Sequence, residues 1–492
     1  MLRRMLPLLL AMVLLSGCGN SAGLRGETLP EDPVTLVYYT IGTPDADLKL
    51  VNQALNDILL PRYGFRVEYN KIGWNDYTDQ LNALMRTGED YDIAFTWTDL
   101  YVRNAQSGYL LDMTDYLRTD GQKLYDAVDS RFWEGVTVRD RIWGIPTNKE
   151  LTSPIQFLFS KELVEKYQID VSRYTTLESL EPLLELISQK EPDCIPLFFD
   201  TSRLNLMNMG DYTYLTSETV PLVVKNDDPS CTVVNLFDTP YAKQMLRTLH
   251  KYYKLGYINQ DAPIRTAVSR FTDEQVFCRI SSGGPDSEAS FSTDFGYPIV
   301  AVQVSNAVVT SDSTQGGVMV VNASTKHPEE SMAFLAAVNT DPDVRNLLKF
   351  GIEGVHYTLT DQDQVQIISD AYRGVPYTQG NWFILKTCVG EDPNKWDNYR
   401  AFNAQAVSSP LLGFNADYYA CETLYSNVSQ IYAKYYVALM TGSVDPDAYL
   451  EQLGDELDRA GIQSLCAIMQ NQVDSWLANK AAQANPESKE QN

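Results

Sequence analysis

VTLVYYT (34–40), FRVEYNKI (65–72) and YDIAFTW (91–97) are β-branched and aromatic runs, each the length of a strand. Helical periodicity fills the gaps between them. In the first gap, Asp45 or Asp47 stands at an N-cap position, and Leu48, Val51, Leu55, Ile58 and Leu59 fall on one face before Pro61 and Gly64. In the second, Asn75 precedes Tyr77, Leu81, Leu84 and Met85, and Gly88 closes the run. The order β-α-β-α-β predicts a parallel sheet covered by helices, with ligands beyond the carboxyl ends of its strands.

Further along, RIWGIP and PIQFLFS (141–160) read as short strands joined by the polar TNKELTS, followed by helices over 161–190 and a strand CIPLFF (194–199). Residues 240–256 form a helix, 295–309 and 317–324 are extended, and HPEESMAFLAAVNTD (327–341) starts another helix with a strong apolar face. The end of the chain is helical over 420–441, 446–460 and 461–478, and 479–492 read as a disordered tail. No internal repeat is visible.

The first 17 residues carry an address. Arg3 and Arg4 precede an apolar run, Met5–Leu15. At ~1.5 Å per residue that run covers about 16 Å, half of a bilayer core, so it is a signal-peptide segment and not a span. Leu15-Ser16-Gly17-Cys18 resembles the bacterial lipoprotein box, which implies cleavage before Cys18 and lipidation of that thiol. Residues 18–33 then read as a lipid-anchored tether.

Composition removes several function classes. Of 492 residues, 39 are Lys or Arg and 64 are Asp or Glu, and the net charge of −25 repels phosphate backbones, so no nucleic-acid partner is expected. Three histidines and six scattered cysteines beyond Cys18 offer no metal-site spacing, so no metal and no cofactor are expected, and the thiols read as buried and free. Nucleotide-binding loops, H-E-x-x-H and dinucleotide motifs are missing. A G-x-S-x-G at 19–23 lies in the tether, without the strand and helix a nucleophile elbow needs. A pair of carboxylates acting on a glycosidic bond stays open, because it requires only proximity in space.

The run Asp92–Gly108, DIAFTWTDLYVRNAQSG, resembles the strand–loop–helix of the maltose-binding-protein-like superfamily, the carbohydrate-type extracellular solute-binding proteins of ABC importers. RIWGIPTNKE with FLFSKELVEKY, and GGVMVVNASTKHPEESMAFL, are similar to its lobe-crossing and return segments. KFGIEGVHYTL (349–359), LLGFNADYY (411–419) and residues 441–476 look like the aldouronate or complex-polysaccharide transport lipoproteins of that group. The resemblance covers about residues 34–478. It implies an α/β, two-lobe periplasmic-binding-protein-like fold: each lobe a mixed, mainly parallel sheet flanked by helices, with the ligand cleft between. Transferred to this chain, lobe one is 34–148 plus 305–352 and lobe two is 149–304 plus 353–478, with crossings near Thr147–Leu151 and Val304–Thr310.

The implied function is a non-enzymatic, lipid-anchored monomer on the outer face of a bacterial cell membrane. It captures an oligosaccharide by hinge closure and passes it to ABC permease subunits. Sugars stack their C–H faces on aromatic rings and need fixed donors and acceptors for their hydroxyls. Asp99 matches the family's hydroxyl-binding aspartate, and it equally suits a helix cap. Trp97 and Trp74 follow strands at the cleft edge, Tyr39 reads as the end of the first strand, and Asp200, Arg203 and Trp382 are the candidates from the other lobe. Trp133, Trp143, Trp396 and Trp476 read as scaffold. Glu353 and His356, in GIEGVHY, read as a structural hydrogen-bonded pair. Two rivals remain: a surface glycan hydrolase using a carboxylate pair, and a receptor for a peptide or another non-sugar solute.

Overall fold

The computed structural model describes residues 32–87, 91–202, 206–216, 218–266, 274–417 and 419–484. Its first unit begins as β1 (Thr35–Ile41), α1 (Leu48–Tyr63), β2 (Arg66–Ile72), α2 (Tyr77–Thr87), β3 (Ile93–Thr96), α3 (Thr98–Gln106) and β4 (Gly144–Pro146). β1 lies between β2 and β3 and runs parallel to both, with Tyr38 beside Tyr69 on one side and Ile93 on the other. β2 is the edge of the sheet. Its outward backbone groups are satisfied by two amides one turn apart on α1: Asn52 bonds the N–H and C=O of Tyr69 (2.7 and 2.8 Å), and Asn56 those of Val67 (2.7 and 3.0 Å). That pairing closes an edge that would otherwise template another strand. Beside the asparagines, the buried Val51, Leu55 and Leu59 fill the interface with the sheet.

The second unit holds β5 (Ile155–Ser160), α4 (Glu181–Lys190), β6 (Cys194–Phe198), α5 (Pro240–Lys254), β7 (Gln275–Ser282), α6 (Ser287–Phe295) and β8 (Ile299–Gln303). Its sheet runs β8-β5-β7-β6. Only β7 and β6 are parallel; β5 runs against both of its neighbours. The chain returns through β9 (Val308–Val309) to β10 (Val318–Val321), which lies antiparallel between β3 and β4, and continues into α7 (Pro328–Thr340) and α8 (Pro342–Phe350). Both sheets are therefore mixed, with a smaller parallel share than the β-α-β-α-β pattern alone implies. The crossing strands enter each sheet from the opposite direction.

After a hairpin (Tyr357–Leu359 with Val365–Ile367) come α9 (Lys395–Gln405), β11 (Val407–Ser408), α10 (Glu422–Met440), α11 (Pro446–Ala460) and α12 (Ile462–Ala484). Two large apolar cores result: one joins residues 36–151 to 309–348, and the other joins 155–280 to 411–473. The segments between the cores are 152–154, 304–308 and 406–411, and β9 pairs with β11 in parallel where the last two run side by side.

Residues 353–388, placed above with lobe two, dock on the first unit instead. Tyr38 Oη donates to Gln379 Oε1 (2.9 Å), Arg345 to the Pro376 carbonyl (2.9 Å), Asn346 to the Ile384 carbonyl (3.0 Å) and Asn381 to that of Asn339 (3.3 Å). The third crossing consequently lies at 406–411, where Ala406 joins the first core and Leu411 the second. Asp47 is the N-cap residue of α1, but neither its side chain nor that of Asp45 bonds the first turn. Asp45 pairs with the buried Lys71, and Asp47 faces His356 Nε2 at 3.3 Å. α1 runs through Pro61 to Tyr63 and ends on Gly64 at φ 81°, a left-handed conformation suited to glycine. α12 continues to Ala484, so 479–484 are helical and not tail. The signal segment, Cys18, most of the tether, Gly88, Arg203 and residues 485–492 lie outside the described residues. No described helix is long and apolar enough to cross a membrane.

Candidate ligand-binding site

The parallel strands β2 and β3 are each followed within two residues by a tryptophan. After β2 the chain turns at Gly73, whose carbonyl accepts from Tyr77 N–H (3.0 Å), and Trp74 projects from that turn, 48% exposed. β3 ends at Thr96, Trp97 is extended, and Thr98 takes φ 38° as α3 begins. A β-branched residue in that region is strained. Its N–H is held by the Gln315 carbonyl at 2.9 Å. The rings form one wall: Trp97 stacks on Phe95 (5.5 Å) and lies 6.0 Å from Tyr77, while Tyr377 stands 6.4 Å from Phe95 and 6.4 Å from Trp74. The Tyr77 hydroxyl, donating to the Phe95 carbonyl at 2.6 Å, anchors the wall to β3.

A second aromatic group faces the other unit. Trp382 lies 6.1 Å from both Trp396 and Tyr399. Tyr399 donates its hydroxyl to Asp286, in the turn that leads into α6, and Lys395 bonds Asp286 (2.9 Å) and Glu391 (2.7 Å). Burial, then the Asp286 charge, push the Tyr399 hydroxyl pKa far up, so it stays protonated and donates. Glu150, close enough to add to that shift, pairs with Lys149 at 2.8 Å, and its Oε2 is buried with no hydrogen-bond partner among the described residues.

The two groups are joined by a floor. Asn148 N–H bonds the Gly380 carbonyl (3.0 Å), and Trp382 N–H bonds the Asn148 carbonyl (2.9 Å). A methyl at Gly317 would meet the Tyr377 carbonyl at 2.2 Å, so only glycine lets the chain entering β10 approach that turn.

The structure places the sequence candidates unequally. Trp74 and Trp97 share the wall. Of the seven tryptophans, Trp133, Trp143, Trp382 and Trp396 spend the indole N–H on backbone carbonyls at 2.6–3.0 Å. Trp74, Trp97 and Trp476 have no such bond among the described residues. Trp476 packs on Phe414 (5.8 Å) beside a 740 Å³ groove, away from the wall, where Lys480 pairs with Glu134 at 2.7 Å. Asp99 lies in the first turn of α3. Tyr39 is inside β1, which runs on to Ile41, and packs half-buried on the first core. Asp200 accepts from Ser202 N–H (2.8 Å) in a turn beside Tyr436 and Met440 of α10. His356 is buried and structural. Its Nδ1 accepts from Ile352 N–H (2.9 Å), and its second partner is Asp47, not Glu353. Tyr377, Tyr399, Glu150 and Asp286 escaped the sequence reading, because loop tyrosines and acids carry no spacing signal.

No group of three or more His, Cys, Asp and Glu residues suited to a metal occurs among the described residues. The carboxylates near Tyr399 are met by Lys149 and Lys395, and the walls are aromatic. Such an arrangement can hold an uncharged ligand that has apolar faces and many hydroxyls.

A family model described as bacterial extracellular solute-binding protein matches residues 50–344, and one described as a domain of unknown function matches 410–478. A carbohydrate ABC transporter substrate-binding protein of Streptococcus pneumoniae is 30% identical over 479 residues, 95% of this chain and 96% of that one. The crystal structure of the N-glycan transport solute-binding protein of Streptococcus pneumoniae superposes with a TM-score of 0.83 at 28% identity, over 91% of this chain and all (100%) of that one. The same protein in complex with Man5GlcNAc gives 0.72, over 91% of this chain and 99% of that one. With Man1GlcNAc the score is 0.74, over 90% of this chain and 99% of that one. Identity is 28% throughout, so the spread reflects arrangement rather than sequence.

Proposed function

Because the chain belongs to the bacterial extracellular solute-binding protein family, and so serves a carbohydrate ABC importer outside the cytoplasm as a binding component and not as an enzyme, we propose that its ligand is a neutral, N-glycan-type oligosaccharide. Man5GlcNAc and Man1GlcNAc, the sugars of the related complexes, represent the class. The observation that carries this reading is the wall Trp74–Tyr377–Phe95–Trp97 at the carboxyl ends of the strands, with two indole N–H groups left over for a ligand. Trp74, Trp97 and Tyr377 stack on pyranose faces. Asp99 and Glu150 accept sugar hydroxyls, and Trp382 and Tyr399 face the sugar from the far side of the floor.

The mechanism is population shift. Ligand touches both units only when they approach, so it stabilises the closed arrangement by its differential affinity. The lower superposition scores with the sugar complexes support an open arrangement here. Cys18 carries the lipid, the chain acts as a monomer, and permease subunits take up the closed form.

Titration calorimetry with Man5GlcNAc, and mass spectrometry of the sugar recovered afterwards, tests the reading. Heat of binding with intact sugar is expected. Cleaved sugar, or binding of peptides in place of glycans, would sink it. Cys18→Ala should move the chain from the membrane to the soluble fraction.

A further inference from the structure

The helical end of the chain meets the first unit around a cavity of 310 Å³, at the lower end of the ~300–1,000 Å³ typical of small-ligand sites. Both units build it: Arg103 on α3, and Tyr419, Glu422, Tyr425, Ser426 and Gln430 at the start of α10. Arg103 and Glu422 are exposed, and neither makes an ion pair or side-chain hydrogen bond among the described residues. The Tyr425 hydroxyl is bonded to Thr219, which fixes its ring, and that of Tyr419 to Ser107 of α3. Gln106 adds a bond to the Ala416 carbonyl at 3.3 Å, so the two units are tied at this place. α3 starts directly after Trp97. At ~1.5 Å per residue, Arg103 stands about 9 Å further along the helix than the end of the aromatic wall.

We propose that this cavity is a second, distal subsite that holds a neutral pyranose unit of the oligosaccharide whose other end lies on the Trp74–Trp97 wall. It rests on the oligosaccharide reading above and gives the C-terminal helices a part in recognition. The chemistry selects the ligand. Arg103 presents a fork of donors and Glu422 acceptors, a pair suited to neighbouring hydroxyls, while the fixed rings of Tyr419 and Tyr425 offer stacking surfaces. The two opposite charges cancel, so the cavity gives an acidic sugar no advantage over a neutral one. A unit bound here touches α3 and α10, which are already tied at this place, so it adds affinity to that of the wall without requiring further closure.

The test is titration of the full chain with Man5GlcNAc and with Man1GlcNAc. A ligand long enough to reach both places should bind more tightly than the short one. Arg103→Ala should lower that preference about tenfold, the loss expected for one charge-assisted hydrogen-bonding group. Glu422→Gln should lower it in the same direction. Trp74→Ala should weaken both sugars and keep the preference. No preference for the longer sugar in the unsubstituted chain would overturn the subsite, as would an unaltered preference in both variants, or equal weakening of both sugars by Arg103→Ala. If neither sugar binds the unsubstituted chain, the oligosaccharide reading itself fails, a result separate from loss of the preference alone.

Discussion

Replacing Trp74 and Trp97 by alanine should separate binding from stability. Trp74 is 48% exposed and rests on the protein through one edge, near Tyr377 at 6.4 Å. A tryptophan side chain offers roughly 200 Å² of surface, so about 100 Å² is left for a ligand to cover. At ~25 cal/mol per Å² that coverage contributes about 2.5 kcal/mol, or roughly a 60-fold change in Kd. Trp97 already spends one face on Phe95 at 5.5 Å and another edge on Tyr77 at 6.0 Å. Its removal opens a gap in the wall, and the cost to folding should reach about 2 kcal/mol or more. Trp74→Ala is therefore expected to lose most of its affinity for Man5GlcNAc by calorimetry while its urea midpoint hardly moves. Trp97→Ala should lose more stability than affinity. Wild-type affinity in Trp74→Ala would refute the assignment of the wall as the sugar platform, and the reverse order of the two variants would refute the area argument.

Burial holds the Lys349 ammonium down to a pKa of about 8, against 10.5 when unfolded. Between those values the unfolded chain binds a proton that the folded chain does not, so this group makes stability rise with pH across that window. Lys349→Met should flatten the rise and add up to about 3 kcal/mol at pH 7, as read by urea unfolding at pH 7 and 10. Gly317→Ala would drive a methyl into the Tyr377 carbonyl at 2.2 Å, and a loss of ~1–3 kcal/mol with weaker sugar binding is expected from thermal melts and calorimetry. The six described cysteines are free, and burial pushes Cys194 up to about 12. A thiol reagent should leave Cys194, Cys231, Cys278 and Cys421 untouched until the chain is unfolded, and a reductant should not shift the melting temperature.

The periodicities of residues 34–97 were sufficient for the first half of one sheet. β1, α1, β2, α2 and β3 follow from side chains that alternate at periods of two and 3.6, a property local to each run. The helices between 422 and 484 were legible for the same reason, and so were the tryptophans placed just beyond strand ends. Partner choice between distant segments was not legible, because it depends on shape and on buried polar groups meeting across hundreds of residues. Asp45 and Asp47 look like helix caps in sequence. In the fold they meet Lys71 and His356, and for Asp45 the reason is that leaving the buried Lys71 ammonium unpaired costs more than an uncapped helix. Residues 353–388 carry no period that assigns them to either unit. Buried side chains of the first unit, among them Tyr38 and Arg345, decide it by bonding Gln379 and the Pro376 carbonyl. The same holds for Tyr377, Tyr399 and Arg103. Sequence determined which elements form and where their aromatic ends point. Only tertiary contact decided which loops face one another, since that choice is made by packing rather than by any local pattern.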